Sequence, residues 1–456
     1  MNIIHKLVLA FAAVTAGLLA AGCSAKDDGA VGIHPDWSYN AVIYEMNVRQ
    51  YTPEGTFAAA AEELPRLQKL GVDVIWLMPI YPIGVDQRKG TLGSYYAISD
   101  YCAVNPEFGT MADFEDFLAR AHDAGFKVIL DWVANHTSPD AVWESGKPSD
   151  WYVRDSLGNT VTQYDWTDIA ELNYDNKDMR EEMRRSMRFW LDKGVDGFRC
   201  DMACEVPLDF WRETLPELRK EYPGTYYLAE GENPELHRDA FDASYAWELH
   251  HLLNDIAKGK KSAADLKAYI GKDAAACPPE AFRLMFTSNH DENSWAGTEF
   301  ERMGDAADVM ALLTFLLPSG QPLIYTGQEI GYDHRFEFFE KDPVPAWEWN
   351  ERSDFYRSLV DMRHAHPALA AGEKGGAIEY LDTDAADVLV FSRSVSASES
   401  LDGEADEVIA AVNLGAEDAD IFLPFDGEAA EYFSGKTYSG GEEVSLPAWS
   451  WLVFVR

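Results

Sequence analysis

Seven polar residues stand directly after short apolar runs, where chemistry is best placed. Asn135 and His136 close KVILDWVANH, Arg199 and Asp201 close VDGFRCD, Glu230 follows TYYLA, and His290 with Asp291 close RLMFTSNHD. Arg199 and Asp201 are two apart, so on a strand both point to one face, and the guanidinium favours the ionised form of Asp201. An ionised carboxylate facing a second, protonatable one is what cleavage of a glycosidic bond requires. One attacks the anomeric carbon and the other protonates the leaving oxygen. Singly, each residue has a plainer reading: a lone strand-end His is more often a hydrogen-bonded core residue, lone acids are mostly solvated or helix-capping, and Arg199–Asp201 can be a structural ion pair. Placement at four different strand ends of one frame favours the chemical reading.

That frame is a (β/α)8 barrel, whose catalytic groups come from the C-terminal ends of different strands. The strand candidates are AVIYEMN, VDVIWLMPI, KVILDWVANH, VDGFRCD, TYYLAEG, FDASYAW, RLMFTSNHD and QPLIYTGQE. Several are continuously apolar and turn polar at their ends, as buried parallel strands do. Between them lie amphipathic stretches; Met179, Met183, Met187 and Trp190 fall on one helical face and predict packing against the sheet. A longer irregular piece, 137–176, predicts a short excursion after the third strand at the barrel mouth. From 372 onward the period is two: DVLVFSR, EVIAAVNL, DADIFLPF and SWLVFV predict a C-terminal antiparallel β-sandwich over 372–456, after a barrel over 37–371. Trp449 and Trp451 there are expected to pack rather than to bind.

The 456 residues carry 78 acidic and 38 basic side chains, a formal charge of −40, with 47% hydrophobic residues. That apolar content excludes disorder, and a surface so acidic with no basic stripe excludes nucleic acid as partner. At the N-terminus, Lys6 precedes an apolar run from Leu7 to Ala21 that is short for a membrane span and has signal-peptide form, so 1–22 is expected to be removed. LLAAGC resembles a bacterial lipobox, with Ala20 where such motifs prefer Leu. Cys23 is then the lipidated first residue and the only attachment to a membrane, facing the periplasm or the outer surface. A plain secretory peptide is the alternative. Cys102, Cys200, Cys204 and Cys277 form no C-x-x-C pair, predict neither zinc nor a disulfide framework, and are expected mainly as buried thiols.

DWVANH, GFRCD, the Glu of YLAEG and SNHD resemble, in order, the four hallmark regions of the α-amylase superfamily, glycoside hydrolase family 13. GVDVIWLMPI, SYYAISDYCAVNPEFGT, AELN and GQPLIYTGQE resemble supporting regions, so the resemblance spans about 37–369. It implies Asp201 as the nucleophile of a covalent glycosyl-enzyme and Glu230 as general acid, then base. Asp291 would bind hydroxyls of the reacting sugar, Arg199 would orient Asp201, His136 and His290 would bind sugar hydroxyls, and Tyr96 would supply an aromatic platform. Retention of configuration follows, from carboxyl groups about 5–5.5 Å apart. YLAEGEN holds two acids of the same strand parity; the family pattern selects Glu230 over Glu232.

Where many α-amylases place Lys-His after the nucleophile, this chain has Met202, Ala203, Cys204 and Glu205. That departure puts distal subsites and a structural calcium in question. Asn135 matches the family's calcium-binding Asn, with Asp150, Asp155, Asp165 and Asp168 as further oxygen donors, and it can equally organise the loop by hydrogen bonds. No cofactor is required for the chemistry. Ala97 stands where some α-glucosidases carry Asp, which argues against a strict monosaccharide-releasing pocket. The expectation is hydrolysis of α-1,4 bonds in starch-like glucans or malto-oligosaccharides. A glucan transglycosylase or trehalose-type glucosyl transferase is the alternative, and a non-catalytic glycan-binding lipoprotein is disfavoured by the complete acid set. An aldolase-type barrel would need a Gly-rich phosphate cup, where SNHDEN and TGQEIG stand instead.

Overall fold

Eight short strands pair in parallel and close on themselves in chain order: β1 (Ile43–Met46), β2 (Val74–Leu77), β3 (Lys127–Trp132), β4 (Gly197–Cys200), β5 (Tyr226–Ala229), β6 (Ala243–Tyr245), β7 (Phe282–Met285) and β8 (Gly320–Tyr325). Ile43 lies opposite both Val74 on β2 and Leu323 on β8, which shuts the barrel. The computed structural model describes residues 34–456; the leader 1–22 and Cys23 lie outside the described residues. Six of the eight strands fall within the segments expected from their apolar runs, and β7 and β8 begin one residue before theirs, at Phe282 and Gly320.

Alternation sorts each strand's residues between two cores. Tyr44, Ile75, Leu77, Val128, Leu130 and Phe198 point outward under the helices, while Ile43, Val74, Trp76, Ile129, Leu228 and Leu284 fill the barrel. The inward rows are apolar low in the barrel and polar at the C-terminal end. Ile43 gives way to Glu45, Ile129 to Asp131, Gly197 to Arg199 and Asp201, and Leu228 to Glu230. Gly197 is required by close approach: a Cβ there would lie 1.8 Å from the Tyr226 carbonyl oxygen on β5.

The helices cover the outside as their periodicity predicts. In the helix Lys177–Asp192, Asn176 caps the first turn by accepting from the Met179 N–H, and Met179, Met183, Met187 and Trp190 are all buried. The excursion after β3 holds a short helix, Val142–Gly146, and is tied down by an antiparallel pairing of His136–Thr137 with Ala170–Glu171. Among the described residues no helix is long and apolar enough to cross a membrane. The four described cysteines are free, and only Cys200 is buried; Cys102 and Cys204 are exposed and Cys277 is half-buried. The expectation of mainly buried thiols is thus corrected, because the other three fall on loops or at a helix end.

After the last barrel helix (Glu351–Ala365) come β9 (Ala377–Leu381), β10 (Val388–Val395), β11 (Asp406–Asn413), β12 (Ala419–Phe422), β13 (Glu428–Glu431), β14 (Thr437–Ser439), β15 (Glu443–Leu446) and β16 (Trp451–Val455). They form a six-stranded antiparallel sheet in the order β9-β10-β11-β16-β13-β14 and a two-stranded sheet, β12-β15. Val388, Val390 and Ile409 face the small sheet's Ile421, Val444 and Leu446, while Leu389, Phe391, Val408 and Ala410 face the barrel's helical layer. Each face of the large sheet is therefore a separate interface, and Trp451 packs 5.8 Å from Phe355.

The barrel–sheet joint is built on cations without carboxylates. Arg393 donates to the carbonyls of Gly376, Leu316, Leu317 and Ala370, and Arg363 to those of Asn40, Leu369, Tyr39 and Gly320. Burial, and for Arg393 also the nearby Arg363, lowers the pKa values to about 9 and about 10, respectively. Both stay charged at neutral pH because carbonyl dipoles replace the lost water. Replacement of Arg393 by Met keeps the volume and strands those carbonyls. We expect R393M to lose roughly 2–4 kcal/mol of stability in denaturant unfolding, without changing the geometry of the barrel mouth.

Candidate active site

The polar inward rows of the barrel open into a cavity of about 630 Å³. Its lining includes Tyr96, His136, Asp201, Glu230, His290 and Asp291, so the mouth gathers six of the residues singled out by sequence. Arg199 lies beneath it, fully buried. Arg199 Nη1 donates to Asp131 Oδ1 (2.9 Å), Asp131 Oδ2 (3.1 Å) and Asp201 Oδ1 (3.0 Å), and Nε donates to the Tyr245 hydroxyl (3.2 Å). Nη2 lies 2.9 Å from Glu230 Oε2, off the direction of its N–H bonds. One guanidinium thus holds both members of the proposed acid pair.

Glu230 is fixed from a second side. Met202 N–H donates to Glu230 Oε2 at 2.8 Å, and Met202 adopts φ +44°, a left-handed conformation uncommon for a residue with a Cβ. The chain bends sharply just past the Asp201 strand end to aim that N–H. Glu232 sits elsewhere: it accepts from the Glu248 N–H at 2.9 Å and lies 3.3 Å from Arg283 Nη2, without lining the cavity. The two acids of YLAEGEN therefore separate by place, although not by parity.

Crowding sets the electrostatics. Burial, then repulsion from Glu230, raises the Asp201 carboxyl well above the usual range and outweighs Arg199. The sequence-based expectation that the proximity of Arg199 keeps Asp201 ionised is corrected here, because the guanidinium is divided among Asp131, Asp201 and Glu230. Asp131 and Asp291 are raised as well, burial again first. His136 goes the other way: burial lowers its pKa to about 4, so it is neutral at pH 7. Its Nδ1 lies 3.1 Å from the Asn135 amide nitrogen, which puts the ring proton on Nε2, an atom with no hydrogen-bond partner among the described residues. His136 is thereby a neutral donor at the cavity wall.

Several groups beneath and around the cavity are left unassigned by the sequence. Asp131 and Glu45 are fully buried strand-end acids of inward parity, and that parity is the signal that finds them. The walls are aromatic. Trp166, from the excursion, lies 6.0 Å from His136 and 4.9 Å from Tyr164. On the other rim, Trp295 sits on a single π-helical turn (Glu292–Ala296) directly after Asp291, 59% exposed and 5.3 Å from Phe338. Lys89 pairs with Asp168 at 3.2 Å beside the cavity.

Four of the five oxygen donors named for calcium are engaged by other protein groups. The Asn135 amide donates to Gln163 Oε1 at 2.5 Å, Asp150 accepts from Asn176, Asp155 caps its own turn, and Asp168 pairs with Lys89. Among the described residues no group of three His, Cys, Asp or Glu side chains could hold a metal ion. Asn135 here organises the excursion and orients His136.

Fold and site define a (β/α)8 barrel of enzyme type, with an acid pair shared on one buried arginine at its C-terminal mouth. The α-amylase catalytic domain matches residues 26–354, and the chain belongs to the α-amylase family. It is 30% identical over 424 residues to the α-amylase MalA of Haloarcula japonica, an alignment covering 88% of this chain and 59% of that protein. It resembles an α-amylase of Lactobacillus plantarum (29% identity, TM-score 0.81, 91% and 99% covered) and the noncanonic maltogenic α-amylase AmyB of Thermotoga neapolitana (26%, 0.81, 91% and 98%). The chain thus spans about three-fifths of its first curated relative and nearly the whole of these two structures.

If Glu230 rather than Glu232 faces the reacting bond, E230Q should lose at least about 10²–10⁴-fold in turnover. E232Q should keep turnover and lose only the stability of its helix cap. Steady-state rates of both variants on one α-glucan decide it, and the reverse ranking would reassign the acid.

Proposed function

We propose that the protein is a retaining glycoside hydrolase that cleaves α-1,4-glucosidic bonds in malto-oligosaccharides or starch-like glucans. The observation that carries this reading is the seating of Asp201 and Glu230 on one guanidinium at the floor of one cavity, with Asp291 facing them. Asp201 attacks the anomeric carbon while Glu230 protonates the leaving oxygen. Glu230 then draws a proton from water, which opens the glycosyl-enzyme with overall retention. Asp291 and the neutral His136 bind hydroxyls of the sugar stacked on Tyr96, and the interactions that tighten as the ring flattens supply the catalysis.

Substrate class follows from the walls. Aromatic faces on both rims suit the apolar faces of neighbouring glucose units, and the uncharged polymer needs no basic patch. No step requires calcium or another cofactor. The lipobox-like LLAAGC supports export and anchoring through an acylated Cys23, with the barrel outside the membrane.

Maltoheptaose should be shortened, with the α-anomer appearing first in the NMR spectrum, and D201N should abolish it. Initial formation of the β-anomer would overturn retention. Accumulation of longer oligosaccharides at high substrate would move the assignment to a transglycosylase, and binding without turnover would revive the glycan-binding reading. Expressed in a bacterium, the chain should fractionate with membranes and C23A should not; equal partition of the two would remove the anchor.

A further inference from the structure

We propose that Glu45, at the end of β1, is a positioning residue that keeps His290 a permanent imidazolium, so that both ring nitrogens donate in the reacting-sugar subsite. The inference rests on the proposed function only for its catalytic consequence; the protonation state stands on geometry.

Each nitrogen of His290 faces an acceptor. Nδ1 is in short contact with Glu45 Oε1. Nε2 lies 2.8 Å from the Tyr96 hydroxyl oxygen and 3.3 Å from Asp291 Oδ2. The Tyr96 hydroxyl gives its own proton to Asp131 Oδ2 at 3.1 Å and has a further donor, Arg199 Nη1, at 3.5 Å. A carboxylate oxygen thus faces each ring nitrogen, and a neutral imidazole would set a bare nitrogen against Glu45 or Asp291. Glu45 is fully buried, its Oε2 has no hydrogen-bond partner among the described residues, and its one polar side-chain contact is this ring. A buried carboxyl with no other use is best explained by the charge it faces.

The charges around the ring are mixed, and burial raises the Glu45 carboxyl while His290 lowers it. Asp131 on β3 and Asp291 are acidic, Arg199 on β4 opposes, and Trp76 on β2 and Phe338 beyond β8 pack against the ring as neutral aromatics. Burial pushes the His290 pKa down, and Asp291 with Glu45 more than reverses this, to about 9. The imidazolium is thus present below about pH 9 and is lost above it. Its consequence is local: a cation 3.3 Å from Asp291 works against the burial that raises that carboxyl.

Histidine NMR over pH 5–10 on the substrate-free protein, with E45Q beside it, tests this. Gln keeps the shape and an acceptor oxygen but removes the charge. In the unmodified protein His290 should remain protonated beyond pH 8, and in E45Q it should titrate at least about one unit lower. On an α-glucan, the kcat/KM loss of E45Q should be small at pH 6, where the ring is protonated in both, and grow to at least about twofold at pH 8. A purely packing role would cost the same at both. Titration of His290 near its ordinary value in the unmodified protein overturns the proposal, as does a pH-independent loss. The NMR result holds whether or not glucan is the substrate, and inactivity on every α-glucan would count against the proposed function alone.

Discussion

The structure is organised around one buried cation. Arg199 takes hydrogen bonds or close contacts to β3 through Asp131, to the Asp201 and Glu230 strand ends, and to β6 through Tyr245, while Trp76 of β2 lies 5.0 Å from it. A lone guanidinium moved out of water into a barrel costs several kcal/mol, and it is tolerated only when its donors are met. Burial lowers the Arg199 pKa, but Asp131 and Glu230 raise it further, so the charge persists. Any strand shifting register would leave a carboxylate unpaired in the interior. The same contacts that place the chemistry therefore hold four neighbouring strands in one register.

This constraint accounts for details that look unrelated. Gly197 has no side chain because β4 must approach β5 closely enough for Arg199 to reach Glu230. Asp131 begins the DWVANH run with an acid although a buried strand would otherwise favour an apolar residue, because the buried guanidinium needs a partner besides Asp201 and Glu230. Met202 accepts a strained backbone because its N–H is the second tether on Glu230.

How far this was legible in the sequence depends on which force fixed each part. Eight apolar runs in barrel spacing and the strand-end residues Asp201, Glu230 and Asp291 could be found because burial and period-two alternation are written locally. Glu45 and Asp131 carry the same parity signal, and they were passed over only because a single acid in an apolar run has many plainer readings. Trp166, Trp295, Phe338 and the Lys89–Asp168 pair were not legible at all. They sit on connections whose path is set by tertiary contacts, such as the pairing of His136–Thr137 with Ala170–Glu171 and the π turn after Asp291. Calcium was suggested by Asn135 as a motif position; the amide's real partners, Gln163 and His136, are 28 and 1 residues away in sequence and follow only from the folded excursion.

The charge balance of the mouth also explains why the site suits a neutral substrate. A phosphorylated ligand brings charge and needs a basic cup, whereas a glucan brings none, so this site must balance itself. Asp131, Asp201, Glu230, Asp291 and Glu45 face only Arg199 and His290, an acidic excess even after protons are shared. In the resting protein that excess is strained by burial, which is why the carboxyls Asp131, Asp201 and Asp291 are raised. Under the proposed function, positive charge spreading over the sugar ring as the glycosidic bond breaks would relieve it. A preorganised negative field that the ground state leaves unsatisfied and the transition state satisfies is differential binding in its electrostatic form. Arg199 sets how large that residual field is, and the aromatic rims decide which neutral chain is held in it.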